Sequence, residues 1–154
     1  DKMSPPKYRD IRRKNIPVVK DGGATVHILS GCYKEVSGAV KGDYVQPVYF
    51  DIELKAGSEW SLETDPEQNL FIYILQGSGV FEPDQKEELP EKHAALFDSG
   101  KWFWAKAGQD GIRFLLLAGK PLKEPIAWGG PIVMNTEEEL ELAFRELNNN
   151  TFIK

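Results

Sequence analysis

Apolar and polar side chains alternate through most of the middle of the chain. Val48, Phe50, Ile52 and Leu54 are interleaved with Tyr49, Asp51 and Glu53, the period-two pattern of a strand with one buried face. Trp60 and Leu62 repeat it after the turn Lys55-Ala56-Gly57-Ser58. Residues 70–75, Leu-Phe-Ile-Tyr-Ile-Leu, form an unbroken apolar run, which predicts a strand buried on both faces. Residues 25–29, 94–97, 102–105 and 112–118 supply four further strand candidates. Turn residues separate them: Asp21-Gly22-Gly23, Asp65-Pro66, Gly77-Ser78-Gly79, Asp98-Ser99-Gly100 and Gly108-Gln109-Asp110-Gly111. Many short strands with frequent turns predict an antiparallel β-barrel or sandwich, not a parallel α/β sheet.

The period changes near the C-terminus. Thr136-Glu137-Glu138-Glu139 has the spacing of a capping box, in which the Thr hydroxyl and the third Glu satisfy orphan backbone N–H groups. Leu140, Ala143, Phe144 and Leu147 then fall on one helical face. The spacing predicts a helix over residues 137–147, docked through Leu140, Phe144 and Leu147, and ended by Asn148-Asn149-Asn150. At the other end, Pro5, Pro6 and Pro17 oppose both helix and central strand, so residues 1–21 read as an extended linker and 22–154 as the folded domain.

A chain of 154 residues can bury a core without staples. With 19 basic and 24 acidic residues the net charge is −5, which argues against a nucleic-acid partner. The single basic cluster, Lys7 to Lys14 with Arg9, Arg12, Arg13 and Lys14, lies in the Pro-rich leader and reads as a solvated linker. Cys32 is the only cysteine, so no intrachain disulfide forms, and a reducing, cytoplasmic setting is expected. No apolar run is long enough to span a membrane as a helix. The N-terminus is charged rather than apolar and carries no Met at position 1, so the chain reads as a fragment without a secretory leader.

Candidate chemistry is sparse. His27 and His93 are the only histidines, and neither has a second His or Cys at ligand spacing. Glu63, Asp65 and His93 are the one set that a fold could assemble into a His-plus-two-carboxylate metal site; the alternative is a polar strand end and a surface histidine. Trp60, Phe71, Tyr73, Trp102 and Trp104 are candidates to line an aromatic pocket, with core packing as the competing reading. No nucleophile motif is present, and Gly77-Ser78-Gly79 lacks the following helix of a nucleotide loop and reads as a hairpin turn.

Three stretches carry a family resemblance. Residues 114–122, Phe-Leu-Leu-Leu-Ala-Gly-Lys-Pro-Leu, then Glu124-Pro125, then Gly130-Pro131-Ile132-Val133-Met134-Asn135-Thr136, resemble the C-terminal signature of pirins. Lys2-Met3, Pro6, Tyr8 and Ile16-Pro17 resemble the segment that joins the two halves of a pirin. Pro47-Val48-Tyr49-Phe50 and residues 71–77 fit between them in the same order. The resemblance implies a cupin fold, one of two cupin halves packed face to face. It implies that the iron lies in the N-terminal half, held by three histidines and a glutamate, and that this chain carries no cofactor of its own. For the intact protein it implies quercetinase-like dioxygenase activity or, in eukaryotes, transcriptional co-regulation in the nucleus.

The cupin metal motif can be laid on this sequence. It runs from a glycine over five residues to His-x-His, then three or four residues to a Glu, then six to a glycine. Gly57 and Gly77 fit its ends, and the ligand positions then fall on Glu63, Asp65 and Leu70. A leucine cannot coordinate metal, and no second-motif histidine matches between Glu82 and Lys106. The expected role is therefore a metal-free module that packs on and shapes the N-terminal half. Self-association is the expectation if that half is absent. Met3, Tyr8, Ile11, Ile16 and Trp128 are the candidate interface residues, being apolar where a free tail or loop has no reason to be.

Overall fold

A computed structural model describes residues 7–152. They divide into two compact units, the larger spanning Ile11–Pro121 and the smaller including residues 122–152.

The larger unit opens with a short 3-10 turn, Arg13–Asn15, and ten strands follow: β1 (Val18–Asp21), β2 (Ala24–Ser30), β3 (Cys32–Tyr33), β4 (Val36–Ser37), β5 (Val48–Leu54), β6 (Glu59–Glu63), β7 (Asn69–Val80), β8 (Leu89–Pro90), β9 (Ala94–Phe97) and β10 (Trp102–Gly119). Eight of them form one antiparallel sheet in the order β1-β2-β5-β10-β7-β8, with β6 added to β10 and β9 to β7. Pleating sends alternate residues inward. Val26 and Ile28 of β2, Phe50 and Ile52 of β5, Ile72 and Ile74 of β7, and Phe114 and Leu116 of β10 are completely buried. Burying each such side chain contributes roughly 1.5–3 kcal/mol, so this layer dominates the stability of the barrel. The architecture is an antiparallel barrel with a helix later in the chain, as the alternation and the capping box predict.

Four local readings of the sequence are corrected by the structure. Residues 18–21 are not linker: Val19 packs on the core, and β1 pairs with β2 from Val18 opposite His27 to Asp21 opposite Ala24. The apolar run 70–75 is buried on one face only, because Phe71 and Tyr73 point outward. Gly77-Ser78-Gly79 is no hairpin turn but lies within β7, and residues 108–111 do not break β10. Both long strands bend where their registers shift, between Ala107 and Ile112 on β10. There Gly77 has φ +72°, and a Cβ on it would sit 2.1 Å from the carbonyl oxygen of Gly111. Only glycine permits that approach of two backbones.

The smaller unit holds a hairpin, β11 (Ala127–Gly129) with β12 (Ile132–Met134), and one helix, α1 (Glu137–Asn148). The capping box is present: Thr136 Oγ1 accepts from the N–H of Glu139 at 3.2 Å, and the Glu139 carboxylate accepts from the N–H of Thr136 at 3.2 Å. The helix docks on the hairpin. Leu140 and Ala143 pack with Ala127 and Ile132, and Phe144 lies over Gly129, where a Cβ would come within 2.9 Å of its ring. Leu147 is exposed and is not part of the docking face, because that face ends one turn earlier. Among the described residues no helix is long and apolar enough to cross a membrane.

Candidate functional site

One end of the barrel opens into a cavity of about 440 Å³. Its inner wall is apolar. Leu70 of β7, Phe81 just beyond the end of β7, Ala95 and Phe97 of β9 and Phe103 of β10 all face into it. The phenylalanines hold one another edge to face: Phe97 and Phe103 have ring centroids 5.1 Å apart at 84°, and Phe81 and Phe97 lie 6.0 Å apart at 66°. Phe103 also contacts the ring of Trp60, which continues the cluster into the core. Trp102 and Trp104 of β10 contribute to the outer wall, and Trp102 is 67% exposed.

The loops around this mouth are pinned by their own hydrogen bonds. Thr64 Oγ1 donates to the carbonyl of Gly100 at 2.8 Å, and Ser99 Oγ donates to the carbonyl of Pro66 at 2.7 Å. Gln85 accepts from the N–H of Phe81 at 2.9 Å and donates to the carbonyl of Glu87 at 2.7 Å. The cavity is thus bounded by tied loops and packed rings, the condition for a preformed pocket.

The three residues considered for a metal lie as follows. Glu63 ends β6, exposed, opposite Trp102 in the ladder. Asp65 lines the mouth, where the N–H of Glu67 at 2.9 Å and the Lys120 ammonium at 3.2 Å hold its carboxyl below the usual range. His93 is exposed, its Nδ1 3.1 Å from the carbonyl of Glu91, and does not line the cavity. Among the described residues no group of three or more His, Cys, Asp or Glu converges on one point. Leu70, at the motif's glutamate position, is buried against the aromatic cluster.

The five aromatic candidates separate. Trp102 and Trp104 line the cavity. Trp60 is buried, and its indole N–H donates to the Tyr33 hydroxyl at 2.9 Å. That hydroxyl donates in turn to Asp21 at 2.7 Å, and Lys34 pairs with the same carboxylate at 2.7 Å. Burial, together with the bond to Asp21, pushes the Tyr33 phenol up to about 12, and Lys34 and Tyr33 hold the Asp21 carboxyl down. Phe71 and Tyr73 stand on the outer face of the sheet. Sequence reasoning missed Phe81 and Phe97 as cavity residues. Phe97 alternates with the half-buried Ala95, which is a visible signal; Phe81 follows Val80 out of the strand and carries none.

The outer face of the sheet is the second feature. The ladder places Tyr49, Leu117, Phe71 and Leu96 in one row across β5, β10, β7 and β9. Asp51, Leu115, Tyr73 and Ala94 form the next row. Phe71 is 41% and Leu96 78% exposed. A fork between Arg113 and Asp51, with N–O distances of 2.9 and 2.7 Å, closes one side of this apolar band. Of the interface candidates, Ile11 and Ile16 are partly buried, Tyr8 is 94% and Trp128 74% exposed, and Met3 lies outside the described residues.

An antiparallel barrel of this strand order, with a cavity at one mouth, is that of a cupin. Residues 49–153 match the family model described as the pirin C-terminal cupin domain, and the chain belongs to the pirin family. It is 35% identical to a putative quercetin 2,3-dioxygenase of Thermoplasma acidophilum, over 99% of this chain and 60% of that protein. It is 31% identical to human pirin over 97% of this chain and 52% of that one. Among solved structures, a quercetin 2,3-dioxygenase from Acinetobacter baumannii superposes with a TM-score of 0.86 at 30% identity, covering 98% of this chain and 52% of the other. The chain spans about half the length of the curated relatives it matches.

Proposed function

We propose that this chain is a metal-free cupin module whose work is to pack against a second, metal-bearing half of a pirin and to shape that half's pocket. The observation that carries this reading is the outward apolar band of Phe71, Tyr73, Leu96, Leu115, Leu117 and Tyr49. An apolar sheet face rimmed by charge marks an interaction surface. The chain has about half the length of its relatives, which supplies the occupant: the other half of the same protein. The chemistry of the motif positions supports the metal-free part. Leu70 offers no donor, and the Asp65 carboxylate is already engaged by Lys120. The dioxygenase chemistry named for some relatives is accordingly assigned to the other half.

The test is sedimentation of the chain mixed with a separately produced pirin N-terminal half. A one-to-one complex with a dissociation constant of about tens of micromolar or tighter is expected. Replacing Phe71 and Leu96 together by Ser weakens it at least about tenfold, since apolar anchors at the centre of an interface carry most of its free energy. Trp128→Ala reports on the alternative surface around β11. No complex at about 100 µM, or a complex indifferent to the Phe71 and Leu96 changes, overturns this placement.

A further inference from the structure

The cavity at the barrel mouth shares only Leu96 with the outer apolar band, and it is built like a ligand site. At about 440 Å³ it falls in the range of small-molecule pockets. Its wall is a cluster of phenylalanines locked edge to face, and its loops are tied by the Thr64, Ser99 and Gln85 bonds, so it does not need a ligand to form. Volume and rings define the body of a ligand: flat or compact, and apolar.

Charge then selects its sign. The lining residues include Asp65, Glu82 and Asp98, and no Lys, Arg or His. Asp65 is neutralised by Lys120, but among the described residues neither Glu82 nor Asp98 has an ion-pair partner. Aromatic faces attract cations through their quadrupoles, and repel anions, within about 6 Å of a ring centroid. Carboxylates at the edge and rings on the wall therefore favour the same ligand. We propose that this cavity binds an organic cation, an aromatic or compact apolar body carrying a substituted ammonium head. The body packs on Phe97 and the indoles of Trp102 and Trp104, and the head lies toward Glu82 and Asp98. This inference is argued separately from the packing role, because apart from Leu96 the lining residues are not those of the outer band.

The experiment uses the whole chain and three probes of similar size: benzyltrimethylammonium, benzyl alcohol and phenylacetate. The four tryptophans at positions 60, 102, 104 and 128 give separable indole N–H signals in nitrogen-proton correlation spectra. Benzyltrimethylammonium should move the Trp102 and Trp104 signals in a saturable way and leave Trp128 in place. It should bind at least about tenfold more tightly than phenylacetate. The double substitution Glu82→Gln and Asp98→Asn, at exposed positions, should remove most of that preference while leaving the other signals unshifted. Ala95→Phe, which fills the cavity from β9, should abolish binding of all three probes. Equal or tighter binding of phenylacetate or benzyl alcohol overturns the charge assignment. Shifts confined to Trp128, or none up to about 10 mM probe, overturn the site itself.

Discussion

Tyr33 holds together groups from three parts of the barrel wall. It is buried, its ring meets Phe50 and Trp60 at 6.0 and 5.8 Å, and its hydroxyl joins the Trp60 indole to Asp21. Removing the hydroxyl leaves the Trp60 N–H buried without a partner, which costs about 1–3 kcal/mol. Tyr33→Phe should therefore lower the unfolding free energy by that amount, read as a lower urea midpoint at unchanged slope. Burial of the phenol, together with its bond to Asp21, also gives a pH signature. The phenol's pKa is raised in the folded state, so its contribution is fully present below its ordinary value near 10 and is lost as pH rises through about 12. The Asp21 carboxyl is depressed, so its contribution is present above its ordinary value of 3.8 and is lost as pH falls through its lower folded value. Wild-type stability should decline steeply in the alkaline window, and Tyr33→Phe should flatten that decline. An unchanged alkaline limb would place the titration elsewhere.

At the scale of elements, the sequence was most legible where a pattern had a period. The alternation in β5 and the capping box of α1 both give the observed element within a residue or so. The Leu70–Leu75 run has no period, so nothing in it says that Phe71 and Tyr73 face outward; only the ladder to β9 and β10 decides that. Glycines misled for the opposite reason. Gly77, Gly79 and Gly111 look like turn residues, yet they serve the bend of two strands 12 and 18 residues long. Gly77→Ala tests this. A methyl at φ +72° against the Gly111 carbonyl has no flexible neighbour to displace, and both strands must shift. A loss of at least about 2 kcal/mol is expected, against about 1 kcal/mol for φ alone. Gly57→Ala is the control, because its positive φ faces open space. If the two variants cost the same, the close approach of the long strands is not what requires glycine at position 77.

At the scale of the whole molecule, the cavity was not legible in the sequence. Aligning a metal motif on Gly57 and Gly77 brings Leu70 to a ligand position from sequence alone. That Phe81, Phe97 and Phe103 gather around it depends on β7, β9 and β10 meeting, which no local pattern encodes. The consequence is testable by metal content. A leucine among packed rings offers iron no donor and surrounds it with low dielectric, and an unpaired cation there is strongly disfavoured. Asp65 would have to release Lys120 before binding metal, and Glu63 and His93 lie outside the cavity lining. Protein dialysed against a weak chelator should retain iron far below stoichiometric amounts, and added iron should not raise its unfolding temperature, as a ligand bound only to the folded state must. It should also leave quercetin unconsumed under air. Stoichiometric iron that disappears in a Glu63→Ala variant would assign the chain a carboxylate–histidine centre and return the chemistry to this half. Iron that binds without stabilising the fold, and persists in that variant, would be surface binding to a chain of net charge −5 and would leave the division of labour intact.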